Sequence, residues 1–272
     1  MSAPVTPVRT RIWQEEAEAD NAFATRTAHC HGYDVYGQML GHARWVEMLY
    51  LLFRGEAPDA AQAALLEALA VGLANAGPRD PAVHAAMCAG IGGSPAAAAL
   101  MAALAVGAGQ HTGAREVLLA MEAWQACGTD LAAWRRHLQR PATTSTDIWP
   151  DHSEPPGFDP HGTSVAGTVR QALHRMTELS PGTSLAWLGA QRVELERCAG
   201  GPLAMTGVAA AALTDLGFSP EAGEMLFLLM RLPGAAAHAL EQRSNSYRDF
   251  PFFAVELQDD PGRSKTAARA EQ

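Results

Sequence analysis

The sequence contains few isoleucines, which favour β-sheets, and almost no lysine, which contributes to basic surfaces. Isoleucine occurs three times in 272 residues and lysine once, at Lys265, whereas alanine dominates a chain that is 48% hydrophobic. This balance favours helices over sheets. The formal net charge is −9, and without a basic stripe nucleic acid is not expected as the main partner. We therefore expect an all-α protein that does not bind nucleic acid.

Paired cysteines, a leader sequence and a long apolar run are also missing. The four cysteines are widely spaced, with no Cys-x-x-Cys pair, which is typical of reduced thiols in the cytoplasm. The N-terminus is polar and contains proline, unlike a signal peptide. The longest apolar run, residues 96–109, is too short and too rich in alanine to cross a bilayer. The sequence thus predicts a cytoplasmic protein with no membrane partner.

Apolar periodicity and capping residues predict about ten helices and no convincing pair of strands. Leu65, Leu66, Leu69 and Leu73, for example, recur at helical spacing after Asp59. The predicted helices cover residues 43–54, 59–76, 81–90, 95–109, 115–127, 131–139, 164–179, 184–199, 202–216, 219–232 and 235–243.

The stretch from residue 94 to residue 116 holds the first candidate for chemistry. Ser94 is expected to cap a helix of small side chains, which can pack closely and should be central or at an interface. His111 follows between Gly109 and Gly113, at the junction of two helices. An imidazole there can give or take a proton near neutral pH. Taken alone, such a residue is more often a hydrogen-bonded structural histidine.

Two further segments are predicted to be irregular. Residues 1–20 should form a loose arm that Trp13 attaches to the body, followed by a polar turn at residues 28–34. His29 and His31 flank Cys30 in that turn, but no second ligand pair follows at a spacing usual for zinc. Residues 140–162 contain five prolines and read as a long loop, which is often functional. This loop ends in a second candidate, His161.

The composition also suggests a division of the chain. A large helical domain is expected from residues 1–130 and 199–258, and a small helical lobe from residues 131–198, between the proline-rich loop and a pair of glycines. Residues 259–272 are expected to be a disordered tail.

Six short segments occur in an order and at spacings typical of one enzyme family. They are residues 31–34 (HGYD), 51–58 (LLFRGEAP), 109–114 (GQHTGA), 157–161 (GFDPH), 215–218 (DLGF) and 238–242 (HALEQ). They resemble motifs of the citrate synthase family, particularly its shorter citryl-CoA lyase-like members. The catalytic Leu-His-Gly-Gly-Ala is matched at 109–114, and Gly-Phe-Gly-His at 157–161. The resemblance spans residues 27–248. It implies a citrate synthase-like all-α fold and a homodimer formed through helices of small residues at 82–90, 95–109, 202–216 and 219–230.

The resemblance also implies a reaction. Members of the family enolise an acyl-CoA thioester and add it to a keto acid, or cleave such a product. The α-proton of a thioester is very weakly acidic, so the enolate oxygen needs a hydrogen-bond donor as charge develops there. The family uses one histidine as that donor, an aspartate as base and a second histidine on the keto acid. The resemblance gives the first role to His111 and the third to His161.

Three positions depart from the family pattern. Pro160 stands where the second histidine is expected, so His161 is displaced by one residue. The catalytic aspartate falls on Thr206, whose hydroxyl is too weak an acid to serve as base through its alkoxide at neutral pH. A histidine that binds the keto acid falls on Ala76. Asp159 or His161 is then the expected base, and Thr206 a substrate-binding residue. Arginines expected to bind carboxylates or phosphates are Arg170, Arg243 and Arg248.

Two interpretations of function remain open on the sequence. In the first, the protein is a citryl-CoA lyase or an acyl-CoA Claisen-type acyltransferase, with a coenzyme A thioester and a keto or hydroxy acid as substrates and no bound cofactor or metal. In the second, it is a catalytically silent relative that binds a ligand or a partner subunit. A purely structural all-α protein, a third possibility, would leave His111 and His161 far apart.

Overall fold

Helices make up most of the chain in the computed structural model, which describes residues 9–139, 155–245 and 247–248. The all-α prediction is confirmed, and 61% of the chain is helical. The α-helices of the described residues are α1 (Trp45–Arg54), α2 (Ala60–Leu73), α3 (Pro81–Ile91), α4 (Ala96–Gly107), α5 (Ala114–Cys127), α6 (Leu131–Leu138), α7 (Gly167–Leu179), α8 (Ser184–Ala199), α9 (Met205–Asp215) and α10 (Pro220–Arg243). A π-helical turn covers Val35–Met39. None of the described helices is long and apolar enough to cross a membrane.

Most helix ends lie where the capping residues place them. Asp59 accepts a hydrogen bond from the backbone N–H of Gln62 at 2.8 Å, so α2 begins as predicted. Gly55 ends α1 with a φ of 75°, a conformation that glycine adopts without strain. The prediction for Ser94 is wrong. Pro95 occupies the N-cap position of α4, and no side chain caps that helix.

A small antiparallel sheet is the main feature that the sequence analysis missed. It consists of β1 (Trp13–Ala17), β2 (Thr25–Cys30) and β3 (Tyr33–Asp34), in that order. The predicted arm is therefore partly a strand, attached by backbone pairing of Trp13 with Cys30, and the indole remains 40% exposed. The predicted polar turn is the end of β2, a reversal at residues 31–32 and the start of β3. These strands are short and mostly exposed, so no apolar alternation marks them.

The end of α10 also differs from the prediction. Pro233 and Gly234 were expected to separate two helices, but α10 continues through both to Arg243. Proline removes one hydrogen bond and crowds the preceding turn. The N–H of the next residue, Gly234, donates to the carbonyl of Ala74 at 2.7 Å, beyond the end of α2, and attaches this turn of α10 to α2. Packing against α3, α4 and α5 holds the rest of the helix in place.

The central helix of the molecule is α9. Every residue from Thr206 to Leu213 is buried within the single chain, and α9 contacts α2, α5, α7, α8 and α10. The expectation that this helix forms a dimer interface is therefore wrong, since its small residues allow neighbours within the same chain to approach closely. One main core holds side chains from α5 and α9 together with side chains from α6, α7 and α8. The proposed boundaries of a large domain and a small lobe remain a prediction.

A second, smaller core joins α3, α4 and α10. It is built from Val83, Ala86, Ala99, Ala103, Ala235 and Ala239. The backbones of α3 and α10 approach so closely at Gly90 that an added Cβ would overlap the carbonyl oxygen of Ala239. This contact requires glycine for space, and α3 and α10 together support the segment that carries His111.

We expect Gly90→Ala to destabilise the protein by about 1–3 kcal/mol, the usual cost of overpacking a core. Gly189→Ala is the matched control, because Gly189 also lies within a helix but an added Cβ there meets nothing within 4 Å. The control should gain about 0.5–1 kcal/mol from helix propensity. Urea denaturation of both variants measures the difference, and equal shifts would contradict the close α3–α10 contact.

Candidate functional site

A cavity of about 800 Å³ lies where the junction of α4 and α5 meets the end of the proline-rich loop and the start of α9. His111, Asp159 and His161 all line it, so the structure brings three of the predicted site residues together. All three side chains are exposed in the single chain. A purely structural protein was expected to keep His111 and His161 far apart, whereas both line this one cavity. Apolar side chains that complete the wall include Leu119, Phe158, Val169, Leu203 and Met205.

The segment that carries His111 has an unusual backbone. Thr112 has a φ of 59°, in the left-handed region, which a β-branched residue rarely adopts and which costs about 1–3 kcal/mol. The next residue, Gly113, is in such close contact with the backbone of Gly107 and Gly109 that a Cβ could not fit. The end of α4 and the start of α5 are thereby fixed against each other, and His111 projects from this tight junction.

Two hydrogen bonds hold Thr112 in this conformation. Its N–H donates to Glu116 Oε2 at 2.6 Å, and its carbonyl accepts from the guanidinium of Arg231 at 3.2 Å. Arg231 is largely buried, forms an ion pair with Asp80 and lies 4.9 Å from the centre of the Phe227 ring. The backbone next to His111 is thus held on both sides.

The loop that carries Asp159 and His161 is joined to the start of α9. Asp159 N–H donates to the carbonyl of Pro202 at 2.8 Å, and the carbonyl of Gly157 accepts from Ala204 N–H at 3.0 Å. Gly157 has a φ of 91° and contacts the backbone of Gly207. The carboxylate of Asp159 accepts the backbone N–H of His161 at 3.0 Å. This turn sets the two side chains beside each other.

Glu116 is the site residue that the sequence analysis did not single out. Its side chain is only 6% exposed, yet it belongs to the cavity wall. Oε1 accepts from Gly157 N–H at 2.9 Å and from the Thr206 hydroxyl at 2.7 Å, while Oε2 accepts from Thr112 N–H. Burial raises the pKa of Glu116, and the three donors and His111 oppose that rise. The sequence did hold one signal for this residue: a glutamate on the buried face of α5, among Val117 and Ala120.

Thr206 stands behind the cavity rather than in its wall. It is 3% exposed, and its hydroxyl is engaged with Glu116. A direct contact with substrate therefore remains a prediction for this residue.

None of the three predicted arginines lies in the wall of this cavity. Arg170 donates to the carbonyl of Val165 at 2.6 Å and lines a separate pocket of about 440 Å³ beside Arg192. Arg243 donates to the carbonyl of Ser94 at 2.5 Å, at the far end of α10. Arg248 lies 5.9 Å from the centre of the Tyr247 ring. Their roles in binding substrate remain predictions.

The described residues contain no group of three or more His, Cys, Asp or Glu side chains that could hold a metal ion. Cys30, flanked by the two histidines considered for zinc, is fully buried.

Solved structures of citrate-related lyases share this fold. No family model and no curated protein matches the sequence. Citryl-CoA lyase from Hydrogenobacter thermophilus superposes with a TM-score of 0.69 and 19% identity, over 95% of this chain and 99% of that one. ATP citrate lyase from Methanothrix soehngenii, in complex with citrate and coenzyme A, has a TM-score of 0.66 and 18% identity. The D541A variant of the Methanosaeta concilii ATP citrate lyase, in complex with (3S)-citryl-CoA, gives the same values. Both ATP citrate lyases are matched over 94% of this chain and 43% of theirs. The chain therefore has the citrate synthase-like helical fold that the sequence motifs predict.

We expect Thr112→Gly to leave the melting temperature unchanged or to raise it by a few degrees. Relief of about 1–3 kcal/mol of strain offsets the extra entropy that glycine gives the unfolded chain, about 1 kcal/mol. Thr129→Gly is the control, because Thr129 is an exposed loop threonine without a positive φ. It should lower the melting temperature in calorimetry, and an equal loss in both variants would show that Thr112 is unstrained.

Glu116 should also shape the pH dependence of stability. Its raised pKa means that the native state holds this proton to higher pH than the unfolded chain does. The stabilisation is therefore complete below about pH 4.3, the unfolded pKa, and is lost as pH rises through the native pKa. The free energy of unfolding of the wild type minus that of Glu116→Gln should fall between pH 4 and pH 8, as measured with urea. A difference that grows with pH would show that the charged form is favoured instead.

Proposed function

We propose that this protein makes or cleaves a carbon–carbon bond between an acyl-CoA thioester and a keto acid, as a citryl-CoA lyase or a Claisen-type acyltransferase. The observation that supports this most is the shared cavity of His111, Asp159 and His161. It lies in a fold common to a citryl-CoA lyase and to ATP citrate lyases described with coenzyme A, citrate or citryl-CoA. The coenzyme A thioester is a substrate here, and no bound cofactor is required.

Asp159 is the residue best suited to begin the reaction. Its carboxylate lines the cavity, and an ionised carboxylate can accept the α-proton of the thioester. The electron pair of that C–H bond then forms the C=C bond of the enolate, and the carbonyl electrons move onto oxygen. The imidazole of His111 stabilises this oxygen by donating a hydrogen bond, the largest contribution expected from any single group.

The second half of the reaction uses the keto acid. The enolate carbon attacks the keto carbon, a carbon–carbon bond forms, and the former keto oxygen takes a proton from His161. Cleavage runs through the same steps in reverse. His161 lines the same cavity and is held next to Asp159 by the hydrogen bond from its backbone to that carboxylate.

One observation favours the alternative of a catalytically silent relative that binds a ligand or a partner subunit. At the position where the family has its catalytic aspartate, this chain has a buried threonine whose hydroxyl is already bonded to Glu116. A hydroxyl cannot replace a carboxylate as base. The enzymatic proposal therefore depends on Asp159. Assembly as a homodimer, a cytoplasmic location and carboxylate or phosphate binding by Arg170, Arg243 or Arg248 belong to the same proposal.

The test compares substitutions at the proposed donor, the proposed base and the threonine. His111→Ala should lower turnover about 10²–10³-fold, the usual cost of one donor to a developing oxyanion. Asp159→Asn should be equally severe because an amide does not accept the proton, whereas Thr206→Ala should lose less. Conversion of acyl-CoA and keto acid into the condensed coenzyme A thioester, or the reverse cleavage, followed by chromatography, measures the rate.

His174→Ala is the control, since His174 lies on the exposed face of α7, where it contacts Glu178. Calorimetric titration with coenzyme A, acetyl-CoA and a panel of keto and hydroxy acids identifies the substrates. Full turnover in His111→Ala would exclude the Claisen-type mechanism. Wild-type protein that neither turns over nor binds thioesters would leave the silent relative as the remaining interpretation.

A further inference from the structure

We infer that Glu116 is the positioning residue of this site, and that its carboxyl group holds the His111 segment and the Asp159–His161 loop in register. The catalytic part of this inference rests on the proposed function, whereas the structural part does not. Glu116 accepts hydrogen bonds from three different segments: the junction before α5, the proline-rich loop and α9. These three segments are separated from one another by long stretches of the sequence.

Two of these bonds connect the two candidate catalytic segments directly, through a single side chain. Thr112 is the residue directly after His111, and Gly157 is two residues before Asp159. Their N–H groups bind different oxygens of one carboxylate, at 2.6 Å and 2.9 Å. The bond from Thr112 is shorter than the usual N–H···O distance, and the bond from Gly157 has the usual length. A shift of either loop relative to the other therefore breaks at least one of these bonds.

The strain at Thr112 shows that this tether holds the backbone against its own preference. A β-branched residue at φ 59° tends to relax, and relaxation would turn the neighbouring His111. Glu116 holds the N–H of Thr112 from one side, and Arg231 holds its carbonyl from the other. Arg231 is fixed in turn by Asp80, at the start of α3. The arrangement keeps the imidazole in one orientation before substrate arrives.

The geometry assigns Glu116 a positioning role rather than that of proton acceptor. Oε1 already accepts two hydrogen bonds and Oε2 a third, so most of the carboxylate's acceptor capacity is used within the protein. A carboxylate can accept from all three donors at once, but an amide cannot. In Glu116→Gln one oxygen is replaced by an NH₂ group, which would face the N–H of either Thr112 or Gly157. This substitution therefore removes one tether while preserving the size of the side chain.

The decisive experiment is amide hydrogen exchange, read at Thr112 and Gly157 in full-length protein. In Glu116→Gln at least one of these two amides should exchange about 10–100-fold faster, as expected when a buried donor loses its partner. Buried amides of α9 should exchange at the wild-type rate. Glu67→Gln is the matched control, because Glu67 is an exposed glutamate on α2, and it should change neither amide.

Kinetics then separate positioning from binding. In Glu116→Gln, kcat should fall about tenfold or more, while KM for the thioester should stay within about twofold, since the carboxyl oxygens are occupied by three donors of the protein. If Glu116→Gln does not fold, Arg231→Lys is the second variant. Two different guanidinium nitrogens of Arg231 bind Thr112 and Asp80, whereas lysine has a single nitrogen. Exchange should therefore become faster at Thr112 and not at Gly157.

Unchanged exchange at both Thr112 and Gly157 in folded Glu116→Gln would overturn the inference. So would a rise in KM with unchanged kcat, because that pattern indicates a substrate-binding residue. If wild-type protein shows no turnover, the proposed function fails, and the exchange rates alone then decide whether Glu116 ties the two loops together.

Discussion

A buried carboxylate is an expensive group to keep in a protein core, and the organisation of this site depends on one. Glu116 is 6% exposed and is surrounded by the packed faces of α5 and α9. Burial alone would favour the neutral acid, and the pKa of Glu116 is raised accordingly. The two backbone N–H groups and one hydroxyl that converge on it oppose this rise. The same three bonds fix the segments beside His111 and Asp159, so the polar network determines the shape of the cavity.

Close packing of small residues makes this network possible. Gly157 and Gly207 meet backbone to backbone, and Gly113 fits against Gly107 and Gly109 with no space for a side chain. These approaches bring the proline-rich loop, the α4–α5 junction and α9 within hydrogen-bonding distance of a single glutamate. Larger side chains at these positions would separate the segments, and the carboxylate would remain buried without its partners. Such a loss is costly, because an unpaired buried charge is strongly destabilising.

Two residues that differ from the citrate synthase motifs, Thr112 and Thr206, belong to this network. Thr112 occupies a position where the family motif has glycine, and the chain keeps the left-handed backbone there by holding Thr112 with Glu116 and Arg231. Thr206 occupies the position of the catalytic aspartate and has become a partner of the same glutamate. In the proposed reaction the carboxylate that accepts the proton is therefore supplied by Asp159, from the loop rather than from α9.

The sequence by itself determined the helical class, most helix boundaries and the choice of His111 and His161 as residues of one site. Those features depend on local signals: apolar periodicity, capping residues such as Asp59, and short motifs in a fixed order. Only the tertiary structure revealed the strands at residues 13–34, the continuity of α10 through Pro233 and the burial of α9 within one chain. It also showed that Arg170, Arg243 and Arg248 lie outside the cavity wall, and that Glu116 is the centre of the hydrogen-bond network. The physical reason is the same in each case. Backbone pairing, close approach and the convergence of three donors on one carboxylate join residues that are far apart in the sequence, 90 positions for Glu116 and Thr206. No local pattern records which distant segments will meet.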